Sequence, residues 1–458
     1  MNIEIYNTFS KNNQKFEPID EKHVRLYVCG PTVYDSIHVG NARPIIVFDV
    51  LVRFLRTIYP KVTYVRNITD VDDKIIIQAK KNKENISDLT KRTIKLFSED
   101  AKSLFAIKPD YEPRATDHIQ EMLKLIKTLV NNGNAYLANG HVLFSVSSMP
   151  DYGNLSGMNL NEMVDGARVE VAEYKKEPAD FVLWKPSEKG ELGWESEYGF
   201  GRPGWHIECS AMSEKYLGKE FDIHGGGLDL IFPHHENEIA QSCCAHKTKI
   251  MAKYWMHNGY ITVNNEKMSK SEGNFITVRD ALDKFNGEVI RYSLLSGHYR
   301  SPIDFSFEGL KESKSALDRL YRSSEGFDFD NNIDEDFSIA LSSDLNTPLA
   351  ISRLHELAKE SNKGSKTAGQ LLKSSSRLLG FLNYDNSKWF IQNIEIGKDK
   401  TLEDIKEKHD AVLIATGVYK PRELDLPGNN LKNIFPAMEF LTASNRKGLG
   451  DKVELFDN

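Results

Sequence analysis

Cysteine is scarce in this chain of 458 residues, which has four, at positions 29, 209, 243 and 244. Four cysteines over this length do not form a disulfide scaffold and indicate a reducing compartment, the cytoplasm. Long apolar runs are also lacking: residues 44–52 come nearest, and Asp49 interrupts them well short of the roughly 20 residues of a membrane-spanning helix. The first residues, MNIEIYNTFSKNNQKF, have no basic head before an apolar segment, so we expect no secretory signal.

An excess of basic charge is absent as well. The net charge is −7, from 59 Lys and Arg against 66 Asp and Glu, which excludes a protein that coats nucleic acid by bulk charge. A local basic stretch within residues 80–95 fits either a solvated helix face or a contact with nucleic acid. The composition, 40% hydrophobic and 27% charged, is that of an ordered globular protein, and the length predicts about three domains.

The first 70 residues alternate between strand and helix patterns. Residues 24–29 (VRLYVC) predict a buried strand that stops at Gly30-Pro31, residues 42–58 predict a helix with Pro44 near its first turn, and residues 63–67 predict the next strand. This order is typical of a parallel α/β sheet, where ligands bind at the carboxyl ends of the strands.

The rest of the chain changes character three times. Residues near 140–200 are rich in Gly, Pro, Asp and Trp and predict an inserted mixed subdomain, after which strand and helix signals return up to about residue 305. Residues 307–385 predict amphipathic helices, with Pro348 in the first turn of one of them. These helices fit either simple core packing or contact with RNA through their outer faces.

Two short segments carry the residue types of a polyphosphate site. His38 and Asn41 offer donors beside a predicted helix start, and Gly40 lets the backbone approach a ligand closely, although a plain capping turn is the better explanation of this segment taken alone. Residues 267–271 (KMSKS) interleave two lysines with two serines, a pattern suited to holding a triphosphate during displacement at phosphorus.

A third group has the residue types of metal ligands. Cys29 ends the first strand, Cys209 follows much later, and His234 and Glu238 stand four residues apart after Pro233, so they share one helix face. Two thiolates, an imidazole and a carboxylate make a tetrahedral zinc site. Spacing alone is equally explained by two buried cysteines and a surface helix. Cys243 and Cys244 are rival ligands that we interpret as core residues, because adjacent cysteines ligate one ion awkwardly.

The HVGN segment at residues 38–41 and the KMSKS block together resemble the HIGH and KMSKS signatures of class I aminoacyl-tRNA synthetases. KMSKS matches in every letter, whereas Asn41 replaces the final histidine of HIGH; its amide can still donate a hydrogen bond. Further segments resemble cysteinyl-tRNA synthetases over residues 1 to about 390. They are, in family order, residues 27–34 (YVCGPTVY), 67–74 (NITDVDDK), 204–212 (GWHIECSAM), 224–230 (HGGGLDL) and 233–238 (PHHENE).

The resemblance implies an ATP-dependent ligase that joins L-cysteine to tRNA(Cys), with one zinc ion selecting the thiol and Mg²⁺ accompanying ATP. The implied zinc ligands are Cys29, Cys209, His234 and Glu238, and Thr69 and Trp205 complete the cysteine pocket. The implied catalytic residues are His38, Asn41, Lys267 and Lys270. The implied ATP-binding residues are His38, Gly40, Asn41, His224, Gly225, Gly226, Asp229, Lys267, Ser269 and Lys270. We expect a monomer without membrane contact.

The implied architecture is a Rossmann-like catalytic domain at residues 1–120 and 201–305, an inserted connective subdomain at 121–200 and a helical bundle contacting the tRNA stem at 306–390. The basic anticodon-reading domain expected next is not recognised. Residues 391–458 instead resemble an internal piece of the glutamate synthase small chain without its phosphate loops, so we assign them no redox activity. The alternative functions are a cysteine ligase acting on an aminosugar–inositol and an inactive RNA-binding descendant of a synthetase.

Overall fold

The structure is a computed structural model that divides the chain into two compact units, residues 1–383 and residues 384–458. The residues that it describes are 2–158, 172–188, 190–263, 266–268 and 275–390, together with the short strands 412–414 and 434–436. Within these ranges the side chains of Lys267, of Ser387 and of residues 412–414 and 434–436 are not described.

The strands of the first unit are β1 Glu4–Asn7, β2 Asn12–Lys15, β3 His23–Val28, β4 Lys61–Arg66, β5 Ala135–Ala138, β6 His141–Phe144, β7 Phe181–Pro186, β8 Gly201–Pro203, β9 Phe221–Gly227, β10 Ala252–Asn258, β11 Ile261–Val263, β12 Glu266–Lys267 and β13 Ile303–Asp304. Its α-helices are α1 Val39–Leu55, α2 Asp73–Asn82, α3 Ile86–Ser103, α4 Ile119–Asn131, α5 Trp205–Leu217, α6 Glu236–His246, α7 Val278–Leu282, α8 Gly287–Leu295, α9 Phe307–Ser323, α10 Glu335–Ser342, α11 Thr347–Asn362 and α12 Lys366–Ser376.

A four-stranded parallel sheet in the order β10-β9-β3-β4 positions the site. The two strands predicted near residues 24 and 63 are β3 and β4, and the predicted helix between them is α1. The chain runs outward from β3 to β4 on one side and from β9 to β10 on the other. The carboxyl ends of β3 and β9 therefore form the point where the strand order reverses, which is where such sheets bind ligands. The prediction of a parallel α/β sheet is confirmed.

Helix α1 starts earlier than predicted, at Val39, because the side-chain oxygen of Asn41 accepts a hydrogen bond from the backbone N–H of His38 at 3.3 Å. Pro44 consequently lies in the second turn and not in the first. A proline has no N–H to donate to the carbonyl four residues earlier, which here belongs to Gly40. The proline thus removes one internal hydrogen bond near the start of the helix.

Two buried charges fasten α1 to its surroundings. Arg43 is fully buried and donates to the carbonyls of Gly259, Tyr260, His298 and Ser301 at 2.6 to 3.1 Å, so one guanidinium ties the helix to two loops. Burial lowers the pKa of Arg43 to about 10, which leaves it charged at neutral pH.

Asp49, the charged residue that interrupts the apolar run of α1, has polar and charged partners in the interior. Its carboxylate accepts from Arg53 Nε at 2.9 Å and from the backbone N–H of Ile107 at 2.7 Å, and it pairs with the buried Arg291 of α8. An unpaired carboxylate at this depth would be costly, whereas here every partner is supplied. The pairing joins α1 to the segment that precedes the helical bundle.

The region predicted as an insert, residues 121–200, contributes three strands of a four-stranded antiparallel sheet in the order β5-β6-β7-β8, and β8 lies just after its predicted end. Its strands run from Ala135 to Pro203, and residues 159–171 within the predicted insert lie outside the described residues. Trp184 and Phe144 of this sheet are fully buried in the same hydrophobic core as Cys29 and Cys209. The insert therefore shares its hydrophobic core with two of the predicted metal ligands.

The helices α9 to α12 follow the parallel sheet, as predicted, and each has a polar N-cap. The side chains of Ser306, Asp334, Asn346 and Ser365 accept hydrogen bonds from backbone N–H groups in the first turns of these helices. Such caps satisfy N–H groups that a helix cannot bond internally. Pro348 lies in the first turn of α11, as its position predicts.

The second unit is described over one helix and two strands. Helix α13 spans Asn386–Phe390, and β14 (Val412–Ile414) pairs in parallel with β15 (Ile434–Pro436). The first of these strands lies within residues 410–417 (DAVLIATG), an apolar run ending in glycine whose pattern is typical of a buried parallel strand. The rest of the predicted tail lies outside the described residues. Over the described part of the chain, the helices are too short or too polar to cross a lipid bilayer.

Glu288 of α8 carries a further buried charge. It is fully buried and accepts hydrogen bonds from the Tyr321 hydroxyl at 3.0 Å and from the backbone N–H groups of Leu382 and Asn383. Burial raises the pKa of Glu288 from 4.5 to about 7, although these donors oppose the shift. The folded protein therefore holds a proton on Glu288 that the unfolded chain releases near pH 4.5.

We predict that this proton makes folding weaker as the pH rises from about 4.5 to 7, by roughly 3 kcal/mol from this group. The Glu288→Gln variant should lack that contribution to the pH dependence. Urea denaturation at pH 5 and pH 8 measures it, with Glu308→Gln as the control because that side chain is 80% exposed. An unchanged pH dependence in Glu288→Gln would contradict the assignment.

Candidate active site

Four predicted metal ligands converge at the carboxyl edge of the parallel sheet. Cys29 directly follows β3, Cys209 lies in α5, His234 lies in the helical turn that precedes α6, and Glu238 lies in the first turn of α6. Their exposed fractions are 9%, 1%, 1% and 0%. Residues about 180 positions apart along the chain thus share one buried point.

The donor atoms of these four residues all lie within 4.8 Å of one another. The sulfur of Cys29 is 3.7 Å from that of Cys209 and 3.5 Å from Glu238 Oε1, and His234 Nε2 is 3.1 Å from the same oxygen. Two sulfurs, a nitrogen and an oxygen at this separation form a donor set suited to a tetrahedral metal ion.

Burial favours the neutral forms of the two thiols and of the imidazole in this group. It raises the pKa of the Cys29 and Cys209 thiols, and it lowers the pKa of His234 well below its usual value. A neutral imidazole has a lone pair for a cation. Loss of the thiol protons in this interior requires a compensating positive charge, which a bound cation supplies.

His206 and His224 form a second layer around these ligands. His206 Nδ1 lies 2.9 Å from His234 Nδ1, and His224 Nε2 lies 2.9 Å from Glu238 Oε2. If His234 donates its Nδ1–H to His206, its Nε2 lone pair faces the cluster. Burial lowers the pKa of His206 to about 3, so His206 is neutral and can accept that proton. Partners of this kind orient the ligands of metal sites.

A second group of four donors overlaps the first. Cys29, His224, His235 and Glu238 also place their donor atoms within 4.8 Å of one another. The spacing arguments missed His224 and His235 as candidates. The second group contains one thiol instead of two. The group with both cysteines is therefore the better site for a thiophilic metal.

Three residues predicted to bind ATP have other contacts in the structure. His224 is fully buried and contacts Glu238. A Cβ atom at Gly225 would lie 2.3 Å from the Phe48 ring of α1, and one at Gly226 would lie 2.8 Å from the His235 ring. These glycines thus allow α1 and His235 to pack closely on β9. The predicted contact of these residues with ATP stays a prediction, as does that of Asp229, which lines the cleft.

Thr69 lies behind the cluster, with 2% of its surface exposed. Its hydroxyl donates to Glu208 Oε2 at 3.0 Å and accepts from Asn67 Nδ2 at 3.2 Å, while Asn67 Oδ1 accepts from the backbone N–H of Gly30 at 2.8 Å. This chain of hydrogen bonds links the neighbours of Cys29 and Cys209. The structure thus gives Thr69 a contact that holds the two cysteine-bearing segments together, and its predicted place in the cysteine pocket remains a prediction.

Trp205 covers the cluster on the side of the cleft. Its ring stacks on His234 with centroids 4.2 Å apart and planes at 24°, and 37% of the residue is exposed. Trp205 and Cys29 both line a cavity of about 480 Å³. A small substrate in this cavity could therefore contact Trp205 and the metal-ligating group together.

The same cavity is lined by His38, Gly40 and Asn41 at the start of α1 and by residues 258–261 after β10. Because the oxygen of Asn41 is engaged with the backbone of His38, its amide NH₂ group is what it can offer to a phosphate. The helix start adds backbone N–H groups and a positive dipole end.

The KMSKS block lies only in part within the described residues. Lys267 ends β12 without a described side chain, and Ser269 and Lys270 lie outside the described residues. The flanks of the block reach the cavity: Met268 and Phe275 both line it. Residues 276–278 are joined to residues 37–39 by the hydrogen bonds from Val39 N to Ile276 O at 3.1 Å and from Val278 N to Ile37 O at 3.0 Å.

Cys243 and Cys244 lie in α6 away from this cluster. Cys243 is 7% exposed and packs in the hydrophobic core, and burial raises its pKa to about 12. Among the described residues, neither cysteine belongs to a group of potential metal ligands. Their interpretation as core residues agrees with this placement.

Comparison with known proteins defines the class. The family model described as tRNA synthetases class I (C) catalytic domain matches residues 15–315, and the DALR domain matches residues 336–383. Methionyl-tRNA synthetase from Mycobacterium tuberculosis, solved with methionyl-adenylate, has the same fold, with a TM-score of 0.55 at 14% identity over 78% of this chain and 89% of that one. The molecule has the fold of a class I aminoacyl-tRNA synthetase.

The family within that class follows from more similar sequences. The cysteine–tRNA ligase of Rhodospirillum centenum is 56% identical over 396 residues, which cover 85% of this chain and 87% of the relative. The cysteine–tRNA ligase of Saccharophagus degradans is 50% identical over 429 residues, or 90% and 93% of the two chains. The chain belongs to the cysteine–tRNA ligase family.

We predict that Cys209→Ser removes the bound metal, because a hydroxyl is a poor replacement for a thiolate ligand. Metal content per chain after purification in zinc-replete medium measures this. Cys243→Ser is the matched control, since Cys243 is also buried and lies outside the group of four, and it should retain the metal. Equal metal content in the two variants would show that the ligand set is wrong.

Proposed function

We propose that this chain activates L-cysteine with ATP and transfers the cysteinyl group to the 3′ end of tRNA(Cys). The observation that carries the proposal is the convergence of four potential metal ligands beside the cavity that the start of α1 lines. These ligands are Cys29, Cys209, His234 and Glu238. The relatives named cysteine–tRNA ligase support it over almost their whole length. An adenylating site and a thiol-selecting site share one cleft.

Activation is a displacement at phosphorus. The carboxylate of cysteine attacks the α-phosphorus of ATP, an oxygen–phosphorus bond forms, and pyrophosphate leaves with the electrons of the bond that breaks. His38, the Asn41 amide and the N-terminus of α1 bind the phosphates together with the lysines of the KMSKS block, Lys267 and Lys270, and Mg²⁺ accompanies ATP. Positioning and charge stabilisation are sufficient, so no covalent enzyme intermediate is required.

The group with both cysteines fits zinc for three reasons: its donor atoms, its burial and the histidines that contact its ligands. Zinc bound there would supply a direct bond to the substrate sulfur and would bind the hydroxyl of serine poorly. A pocket that selects by size alone separates such close isosteres weakly. Trp205, stacked on His234, would hold the substrate against this group.

Other features of the chain bear on its acceptor substrate, its oligomeric state and its compartment. The DALR domain match at residues 336–383 supports contact of the helical bundle with tRNA, and we propose that the chain acts as a monomer. The four cysteines are free thiols, and ligation requires Cys29 and Cys209 to remain reduced, which favours the cytoplasm. The DALR domain and the relatives favour tRNA over an aminosugar–inositol acceptor.

Amino-acid-dependent exchange of pyrophosphate into ATP tests the activity. We expect exchange with cysteine and at least about 100-fold less with serine, since the metal bond is worth several kcal/mol. Removing the metal by dialysis against a chelator should abolish exchange, and zinc should restore it. If the exchange rate of the zinc-loaded protein with cysteine is no higher than the background rate, adenylation by this chain is refuted.

Replacement of Lys270 should affect the transition state more than substrate binding. We predict that Lys270→Ala lowers the rate of adenylate formation by roughly 100-fold and changes the affinity for cysteine by less than about threefold. Single-turnover kinetics and cysteine titration separate the two effects. Lys359→Ala, an exposed lysine on α11, serves as the control. Equal losses in rate and in cysteine affinity would contradict the proposed role.

A further inference from the structure

A buried carboxylate in the connection between α10 and α11 reaches out of the helical bundle. Asp344 is 5% exposed. One of its oxygens accepts hydrogen bonds from the backbone N–H of Tyr6 at 2.9 Å and from the hydroxyl of Tyr299 at 2.7 Å, and the other accepts from Arg300 Nε at 2.8 Å. His298 Nε2 lies 3.6 Å from this second oxygen. These partners all belong to β1 or to the loop that precedes β13.

The backbone of the connection has an uncommon conformation at this carboxylate. Asp344 and Leu345 have φ angles of 52° and 50°, in the left-handed region that leucine rarely adopts because of its cost. The backbone N–H of Asp344 donates to the carbonyl of Glu4 at 3.0 Å, and the hydroxyl of Thr347 donates to the carbonyl of Leu295 at 2.8 Å. Costly conformations persist where the surrounding structure fixes them, and they are concentrated at functional positions.

The loop at residues 298–301 carries these contacts to the nucleotide cavity. The backbone N–H of Gly259 donates to the carbonyl of Tyr299 at 2.8 Å. A Cβ atom at Gly259 would lie 2.6 Å from the carbonyl oxygen of Arg300, so the two backbones touch with no room for a side chain between them. Residues 258–261 line the cavity. The loop is therefore the support of this part of the cavity wall.

One guanidinium joins the loop and the wall from the side of α1. Arg43 donates to two carbonyls of the wall and to two of the loop, those of Gly259, Tyr260, His298 and Ser301. The loop is thus held between a cation on α1 and an anion on the bundle. Because the loop and the wall share the cation and lie in contact, a loop that loses the anion moves the wall with it.

We propose that Asp344 is a positioning residue for ATP: through the loop at residues 298–301, it holds residues 258–261 in the conformation that binds the nucleotide. The inference rests on the proposed function, which places ATP in this cavity, and it adds a contribution of the helical bundle to nucleotide binding. The wall at residues 258–261 follows β10, whereas Cys29 follows β3 and Trp205 begins α5. The bundle therefore sets the affinity for ATP and leaves the affinity for cysteine unchanged.

Equilibrium titrations of the zinc-loaded protein, with ATP and Mg²⁺ and separately with cysteine, measure the two affinities. Asp344→Asn keeps the size of the side chain and suits the left-handed backbone, but it replaces one acceptor oxygen by an amide that cannot accept from Arg300. We expect the Kd for ATP to rise about fivefold or more and the Kd for cysteine to change by less than about twofold.

Asp334→Asn is the matched control. Asp334 is also 5% exposed and also pairs with an arginine, with 3.0 Å between Arg353 Nε and its Oδ1. The same oxygen accepts from the backbone N–H of Phe337, so these contacts join α10 to α11 inside the bundle. Both variants should be less stable in urea, but only Asp344→Asn should bind ATP more weakly. Equal weakening of ATP binding in the two variants would reduce the effect to bundle stability and overturn the proposal.

Tyr299→Phe gives a test that does not depend on the folding of Asp344→Asn, because it removes only the hydroxyl that bonds to Asp344. It should also weaken ATP binding, and the double variant should be at most about twofold weaker than the weaker single variant, since both changes break one connection. Unchanged ATP binding in the two single variants, a matching loss of cysteine binding, or effects that multiply in the double variant overturn the proposal. A protein that binds ATP without cysteine-dependent exchange refutes the proposed adenylation instead, and the ATP titrations still decide the role of Asp344.

Discussion

The structure depends on one close approach, in which two thiols, an imidazole and a carboxylate meet at the point where the strand order of the parallel sheet reverses. Cys29 and Cys209 come from segments about 180 residues apart, yet their sulfurs lie 3.7 Å from each other in the interior. Without a cation, such a group is a set of buried polar atoms with few other partners. A metal bound there would turn the same atoms into a ligand shell and would give the site a preference for sulfur.

The surroundings hold this group from several directions. The hydrogen bonds through Asn67, Thr69 and Glu208 join the neighbours of the two cysteines, and His206 and His224 orient the other two ligands. The same architecture places α1 against the sheet through Arg43 and Asp49. The metal-ligating group and the start of α1 are therefore fixed relative to each other, as a reaction between two bound substrates requires.

Local patterns in the sequence were sufficient for two strands of the parallel sheet, the helix between them and the helical character of residues 307–385, because periodicity and the positions of glycine and proline report on short segments. The strand near residue 24, the helix after it and the N-terminal proline of α11 all lie where the patterns predict them. The start of α1 was predicted three residues late, since the interaction between Asn41 and His38 is a contact that periodicity does not register.

The site was predictable only in part. Spacing places His234 and Glu238 on one face, but it cannot bring Cys29 to Cys209, because that contact depends on the fold; the family resemblance supplied the pairing. The histidines of the second layer and the contact between Thr69 and Glu208 have no local signal. Glycines 225 and 226 pattern like a ligand-binding loop, whereas their neighbours in the structure are Phe48 and His235.

The most direct test of the central claim is X-ray absorption spectroscopy of the zinc-loaded protein at the zinc edge, with and without cysteine. The account predicts two sulfur ligands in the protein alone and three when cysteine is bound, with no change on adding serine. A single sulfur in the protein alone, or a sulfur count that cysteine leaves unchanged, would contradict it.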